Sequence, residues 1–188
     1  MIEALLIDWG GTLMTDLPGH DDLPMAQWPR VEVIPGAGEA LSAVKERLPV
    51  YVASNTDLSD GPLVLAALDR VGLADFIDGV FASLDLGVAK PEAAFFDTAL
   101  DTLGLLPNQA VMVGDTYEND VAGAKDVGLW TVWYNPGGLA CPLPEPLHDA
   151  AIADLRELPT AVDDIAKLAE RMSPRPWRRL LREQDRPA

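Results

Sequence analysis

The run Glu3 to Thr12, reading EALLIDWGGT, constrains this chain more than any other stretch. Its apolar part is too short for a helix and ends in one carboxylate, Asp8, with Gly10 and Gly11 close behind. Such a run reads as a buried parallel strand that delivers Asp8 to its C-terminal edge. Open α/β sheets hold their ligands at that edge. Gly10 and Gly11 let the backbone approach an anion or a metal closely, and Thr12 adds a hydroxyl donor. Asp8 is therefore a candidate nucleophile or metal ligand; the plain alternative is an aspartate that only caps a turn.

With 188 residues, one domain is expected: a core over 1–171, a flap loop over about 13–32 and a basic tail over 172–188. The formal net charge of −16 argues against sequence-independent nucleic-acid binding, which needs clustered Lys and Arg. No apolar run approaches a membrane span, and the N-terminus runs straight into Glu3 and Asp8 without a leader-like pattern, so a cytoplasmic protein away from membranes is expected. A single cysteine, Cys141, excludes an internal disulfide. The tail from Met172 holds five arginines against two acids and reads as a frayed terminus, a short helix docked on the acidic body, or a partner segment.

After Thr12, the stretch TDLPGHDDLPMAQWPR is rich in Pro, Asp and Gly and has no periodicity, so it reads as a loop placed to fold over the strand end. Its His20, Asp16, Asp21 and Asp22 read as a solvated acidic surface. Residues 33–48 carry Ala40, Leu41, Val44 and Leu48 at helical spacing, a first crossover helix. A second strand over 49–53 ends in Ser54, Asn55, Thr56 and Asp57, where Ser54 and Asn55 either bind an oxyanion or cap the next helix, over 63–71. A third strand is expected over 77–82. Lys90 then precedes Pro91, expected in the first turn of a helix running to Leu103, and is placed for phosphate. A fourth strand over 110–113 ends in Gly114 and Asp115, with Asp120 one turn on, a pair suited to a hard cation. A fifth strand spans 129–134, a short sixth is possible over 151–154, and the last helix, over 158–172, should turn Val162, Ile165, Leu168 and Ala169 to the body. Strands alternating with helices give an α/β fold, a doubly wound sheet of about five parallel strands with helices on both faces.

These four strand-end motifs, in this order, resemble those of the haloacid dehalogenase superfamily, over about residues 3 to 134. The resemblance is to its phosphatase-like branch with a minimal cap and implies a Rossmann-like fold, a Mg²⁺ cofactor and a first aspartate that forms an aspartyl-phosphate. On that likeness Asp8 is the nucleophile and a metal ligand. Ser54, with Asn55, Gly11 and Thr12, binds phosphate, and Lys90 is the catalytic and phosphate-binding cation. Asp115 and Asp120, with the Gly10 carbonyl, complete the metal site. The reading that follows is a Mg²⁺-dependent phosphatase acting on a phosphorylated small molecule or an exposed group of a macromolecule, its open site able to be closed by a second copy of the chain.

One departure stands out. Phosphatases of this family usually carry a second aspartate two residues after the nucleophile, to protonate the leaving alcohol and activate water, and here that position is Gly10. Either a flap residue such as His20 or Asp16 reaches in, or the substrate needs no proton, or the chain is a weakened phosphate-binding or regulatory protein. A phosphonate-cleaving branch needs a Schiff-base lysine, and between the first two motifs there is only Lys45. A zinc loop is not supported by a lone Cys141. Trp9, Trp28, Trp130 and Trp133 read as core or flap packing.

Overall fold

Alternation along the strands sorts the apolar side chains into two layers. Strand β1 (Ala4–Ile7) is buried throughout, with Leu5 and Ile7 in one core cluster and Leu6 in another. The split recurs in β2 (Val50–Ser54), where Val50 and Val52 join the first cluster and Ala53 the second. A strand that is apolar on both sides needs cover on both, so the sheet sits between two helical layers. Helices α1 (Ala37–Lys45) and α2 (Gly61–Asp69) cover the first face. After β3 (Gly79–Ala82) and the single turn α3 (Ser83–Leu86), helix α4 (Ala93–Leu103) covers the second with Phe95, Phe96, Ala99 and Leu100.

The rest of the chain returns to the other side of β1. Strand β4 (Ala110–Gly114) is followed by a π-helical turn, Tyr117–Ala122, and by α5 (Gly123–Asp126), then β5 (Trp130–Tyr134), β6 (Ala150–Ile152) and α6 (Leu158–Met172). The sheet has six strands in the order β3-β2-β1-β4-β5-β6, and every neighbouring pair is parallel. The short sixth strand is therefore present, on the far edge. This structure, a computed structural model, describes residues 1–20 and 22–172, so Asp21 and the basic tail beyond Met172 lie outside the described residues. No described helix is long and apolar enough to cross a membrane.

Three local expectations change. Helix α4 begins at Ala93 with Glu92 as its N-cap, so Pro91 precedes the helix instead of opening its first turn. Helix α2 is capped by Asp60, whose carboxylate accepts from the Leu63 N–H at 3.0 Å, which frees Ser54 and Asn55 from capping. The buried stripe of α6 is Leu158, Val162, Ile165 and Ala169, while Leu168 sits one flank away and is 41% exposed.

The flap is more firmly seated than its composition implies. Leu13 and Met14 are fully buried, and Met14 forms isolated bridges to Gly10 and to Val33. A 3-10 turn, Met25–Gln27, buries Met25, and the Arg70 guanidinium at the end of α2 donates to the carbonyls of Met25 at 3.3 Å and Ala26 at 2.9 Å. The loop is thus pinned at both ends while its middle overhangs the sheet edge.

The stripe of α6 gives a direct check. Ile165→Ala should cost about 2–5 kcal/mol by leaving a cavity, while Leu168→Ala should stay within about 0.5 kcal/mol. Urea denaturation of both variants measures this, and equal losses would contradict the assigned face.

Candidate active site

Strand register determines what meets at the sheet edge. Ile7 lies opposite Val52 of β2 and Val113 of β4, so Asp8, Ser54 and Asp115 emerge together at the C-terminal end. Between β1 and β4 the chain also reverses its direction of winding, and that crevice is where open α/β sheets bind ligands.

Lys90 is the hub. Its side chain is 2% exposed, and Nζ donates to Asp8 Oδ1 at 2.9 Å, Asp120 Oδ1 at 2.6 Å and the Ala53 carbonyl at 2.7 Å. All three ammonium protons are used, so in this arrangement Lys90 orders the carboxylates instead of reaching outward. Burial alone would depress its pKa, but Asp8 and Asp120 outweigh that and raise it. Its backbone is clasped by the Asn55 amide, which donates to the Lys90 carbonyl at 2.7 Å and accepts from its N–H at 2.8 Å. The Asn55 side chain is thereby occupied in positioning Lys90.

Ser54 Oγ donates to Asp8 Oδ1 at 3.0 Å. Thr12, fully buried, sits 3.3 Å from both Asp8 Oδ2 and Asp115 Oδ1, so its hydroxyl orients the two carboxylates. Gly11 has φ of +74° and a Cβ there would lie 2.7 Å from Asp115 Oδ2; the position requires glycine twice over, for its backbone and for the close carboxylate. Trp133 Nε1 supports the same loop by donating to the Asp115 carbonyl at 3.1 Å. Asp120 occupies the π-helical turn, where Oδ2 accepts from the Thr116 N–H at 2.9 Å. Burial and the nearby Asp8 charge push its carboxyl up to about 7, against the pull of Lys90. Asp115 is also raised, by burial and by Asp8.

Asp8, Asp115 and Asp120 each offer an oxygen within 4.8 Å of the others, the one such cluster of metal-ligating side chains among the described residues. Three carboxylates face one ammonium, so one divalent cation balances the excess. Oxygen donors suit a hard cation such as Mg²⁺. Among the described residues no hydrogen bond is made to the Gly10 carbonyl, which leaves it available as a further oxygen donor. The residues present fit the ion.

The flap supplies the other wall. His20 stacks at 5.3 Å on Trp28, and both line the cleft together with Asp16 and Trp9. A Cβ built on Gly10 would fall 2.9 Å from Asp16 Oδ1 and 3.1 Å from Oδ2. The Asp16 carboxyl therefore fills the space that a side chain at position 10 would take. Desolvation and the charge of Asp8 raise its pKa. Asp16 and His20 are thus cleft residues, not the purely solvated surface their composition implied. One donor was missed: Thr56, a cleft-lining residue whose Oγ1 is buried and unpaired among the described residues. Its signal was the run of small polar residues after β2.

Other candidates fall away from this edge. Lys45 pairs with Asp78, which also accepts from the N–H of Val50 at the opposite end of β2, too far from Asp8 for a Schiff-base role there. Cys141 bonds the Tyr117 hydroxyl at 3.3 Å and belongs to no metal cluster among the described residues. Of the tryptophans, Trp130 is half-buried beneath Lys125 and Trp133 packs on Tyr117, while Trp9 and Trp28 are buried yet line the cleft.

A parallel sheet wound in this order, with carboxylates and one buried lysine converging at its switch point, defines a Rossmann-like α/β protein with an acidic ligand site. The haloacid dehalogenase-like hydrolase family profile matches residues 25–128, and the chain belongs to that family. The match starts after the Asp8 stretch, so the place of Asp8 rests on its position at the end of β1. An uncharacterized protein from Listeria monocytogenes serotype 4b has a similar structure, with TM-score 0.78, 31% identity, and coverage of 88% of this chain and 99% of that one. A ribulose-1,5-bisphosphate 5-phosphatase of Halopiger xanaduensis is 40% identical over 106 residues, 56% of this chain and 44% of that protein. A pyrimidine 5'-nucleotidase of Escherichia coli is 37% identical over 54% of this chain and 44% of its own length. The chain thus spans less than half the length of these curated relatives.

The elevated Asp120 carboxyl has a stability consequence in chelator. The folded state keeps its proton up to about 7, while the unfolded chain releases it near the ordinary aspartate value of 3.8. Between those values the folded state binds more protons, so this group's contribution weakens the fold as pH rises. Asp120→Asn removes it, and the variant should gain on wild type from about pH 4 to about pH 7. Urea titrations across that window check the sign; a widening deficit for the variant would contradict it.

Proposed function

We propose that this chain is a Mg²⁺-dependent phosphomonoester hydrolase in which Asp8 is the nucleophile and Asp16 moves the protons. The observation that carries the reading is the convergence of Asp8, Asp115 and Asp120 around the buried Lys90 ammonium at the switch point. The family assignment and the phosphatase names of the relatives support it.

Mg²⁺ held by Asp8, Asp115 and the Gly10 carbonyl, with Asp120 behind, would supply the charge neutralisation that lets a carboxylate approach a phosphoryl group. Ser54 and Lys90 hold Oδ1 of Asp8, which leaves Oδ2 to attack phosphorus with only the longer Thr12 contact. A bond forms from Asp8 to phosphorus as the ester P–O bond breaks, and the departing alkoxide takes the proton of the Asp16 carboxyl. Asp16, now a carboxylate, takes a proton from the water that attacks the aspartyl-phosphate, and phosphate leaves with Asp8 restored. The Thr56 hydroxyl, unpaired in the cleft, is a donor toward the bound phosphoryl or its leaving group.

Asp8→Asn should abolish turnover with the fold intact, because the side chain keeps its shape and loses only the attacking charge. Asp16→Asn should slow alkyl phosphate hydrolysis by about 10²- to 10⁴-fold and aryl phosphate hydrolysis much less, since a phenolate hardly needs the proton. Equal losses on both esters would contradict a proton role. Gly10→Asp should bring no acceleration, because the new side chain meets the Asp16 carboxyl. Steady-state kinetics on both ester classes, with Mg²⁺ and with chelator, tests all three variants; full activity of purified Asp8→Asn would end the proposal.

A further inference from the structure

The reacting end of the cleft holds a buried cation, and its other end holds none among the described residues. The cleft has a volume of about 330 Å³, near the lower end of ordinary small-molecule sites. Lys90 is the single Lys or Arg among its described lining residues, and all its protons go to Asp8, Asp120 and the Ala53 carbonyl. Arg70 stands nearby in the fold but spends its guanidinium on the flap backbone. On the leaving-group side Asp16 and Asp57 add negative charge. Among the described residues, no cation there remains for a second anionic group.

What that side does offer is apolar. The tilted His20–Trp28 pair forms one wall, fixed by the Trp28 Nε1 bond to the Leu23 carbonyl at 2.9 Å. Leu23 and Leu58 stand at the mouth 40% and 43% exposed, large apolar side chains held out beside a polar site. Thr56 Oγ1 contributes an unspent neutral hydroxyl. An aromatic wall, two leucines and a hydroxyl satisfy a ring or a short apolar chain with hydroxyls, and the carboxylates repel a second phosphate or a carboxylate.

We infer that the cleft selects phosphomonoesters whose leaving group is uncharged and presents an aromatic or apolar face, and discriminates against esters bearing a second anion. This rests on the hydrolase reading above and names its substrate class. Like-charge juxtaposition is an effective way to reject a wrong ligand, because a burial-limited site leaves the extra charge unpaired.

The test separates selectivity from turnover. Phenyl phosphate and 4-carboxyphenyl phosphate are compared in binding to Asp8→Asn with Mg²⁺, at mildly alkaline pH, and uridine 5'-monophosphate is compared in the same way with uridine 3',5'-bisphosphate. The uncharged leaving group should bind about tenfold more tightly in each pair. Leu58→Lys, added to Asp8→Asn, should erase most of the difference within the aryl pair by supplying the missing cation. Equal or reversed affinities in the parent protein, or a difference that Leu58→Lys leaves untouched, would overturn the inference. Turnover of the same esters by wild type is read independently: its absence, with the binding preference intact, counts against the hydrolase reading alone.

Discussion

One buried ammonium holds this site together. Moving an ion out of water costs several kcal/mol, and the cost is offset only where good geometry and extra hydrogen bonds are supplied. Lys90 meets that condition through two carboxylates and a carbonyl contributed by three separate segments: the end of β1, the end of β2 and the π-helical turn after β4. Its own backbone is gripped from the β2 side by Asn55. The crossovers of the sheet are therefore tied together at their C-terminal ends by a single side chain. Removing it would leave Asp8 and Asp120 buried with the wrong balance of charge.

That balance also explains why the site points to a cation. The triplet of carboxylates is compressed: Gly11 lets Asp115 approach, Thr12 bridges Asp115 to Asp8, and the wide π turn brings Asp120 beneath them. Wide turns of this kind often sit at functional sites, because they place a side chain where a regular helix would not. The fold stores electrostatic repulsion here that Lys90 only partly relieves. A divalent cation is the economical complement; the Asp115 and Asp120 carboxyls are raised first by burial and then by the charge of Asp8.

Much of this was legible in the sequence because strand ends are local. A short apolar run ending in Asp8, and another ending before Gly114 and Asp115, carry both the parallel-strand signal and the candidate site carboxylate within a few residues. Asp120 and Lys90 were placed at the same edge by the order of strands and helices, although their direct pairing needed the tertiary register. The misses were of another kind. Leu168 fits the apolar stripe of α6 by spacing, but the helix buries the flank running through Leu158, Val162, Ile165 and Ala169, a choice made by the neighbouring layer. Asp60 caps α2 because the helix starts at Gly61, several residues beyond Ser54 and Asn55, which bond Asp8 and Lys90. The flap looked like solvated loop since Met25 and Trp28 have no periodicity; only contact with α2 and the core reveals them as anchors.

The flap and Gly10 are best understood as a single feature. A side chain at position 10 would crowd the Asp16 carboxyl and make it shift, so the glycine leaves room for that carboxyl where it stands. The loop that carries Asp16 also carries His20, Leu23, Met25 and Trp28, which line the cleft with it. Met25 and Trp28 bury themselves in the core, and Arg70 fixes the carbonyls beside them. On the proposed reading, the proton donor and the surface that reads the leaving group hang from the same anchors. Shifting those anchors would move Asp16 relative to Asp8 and reshape the apolar wall together, so the proposed proton transfer and selectivity are coupled through one loop.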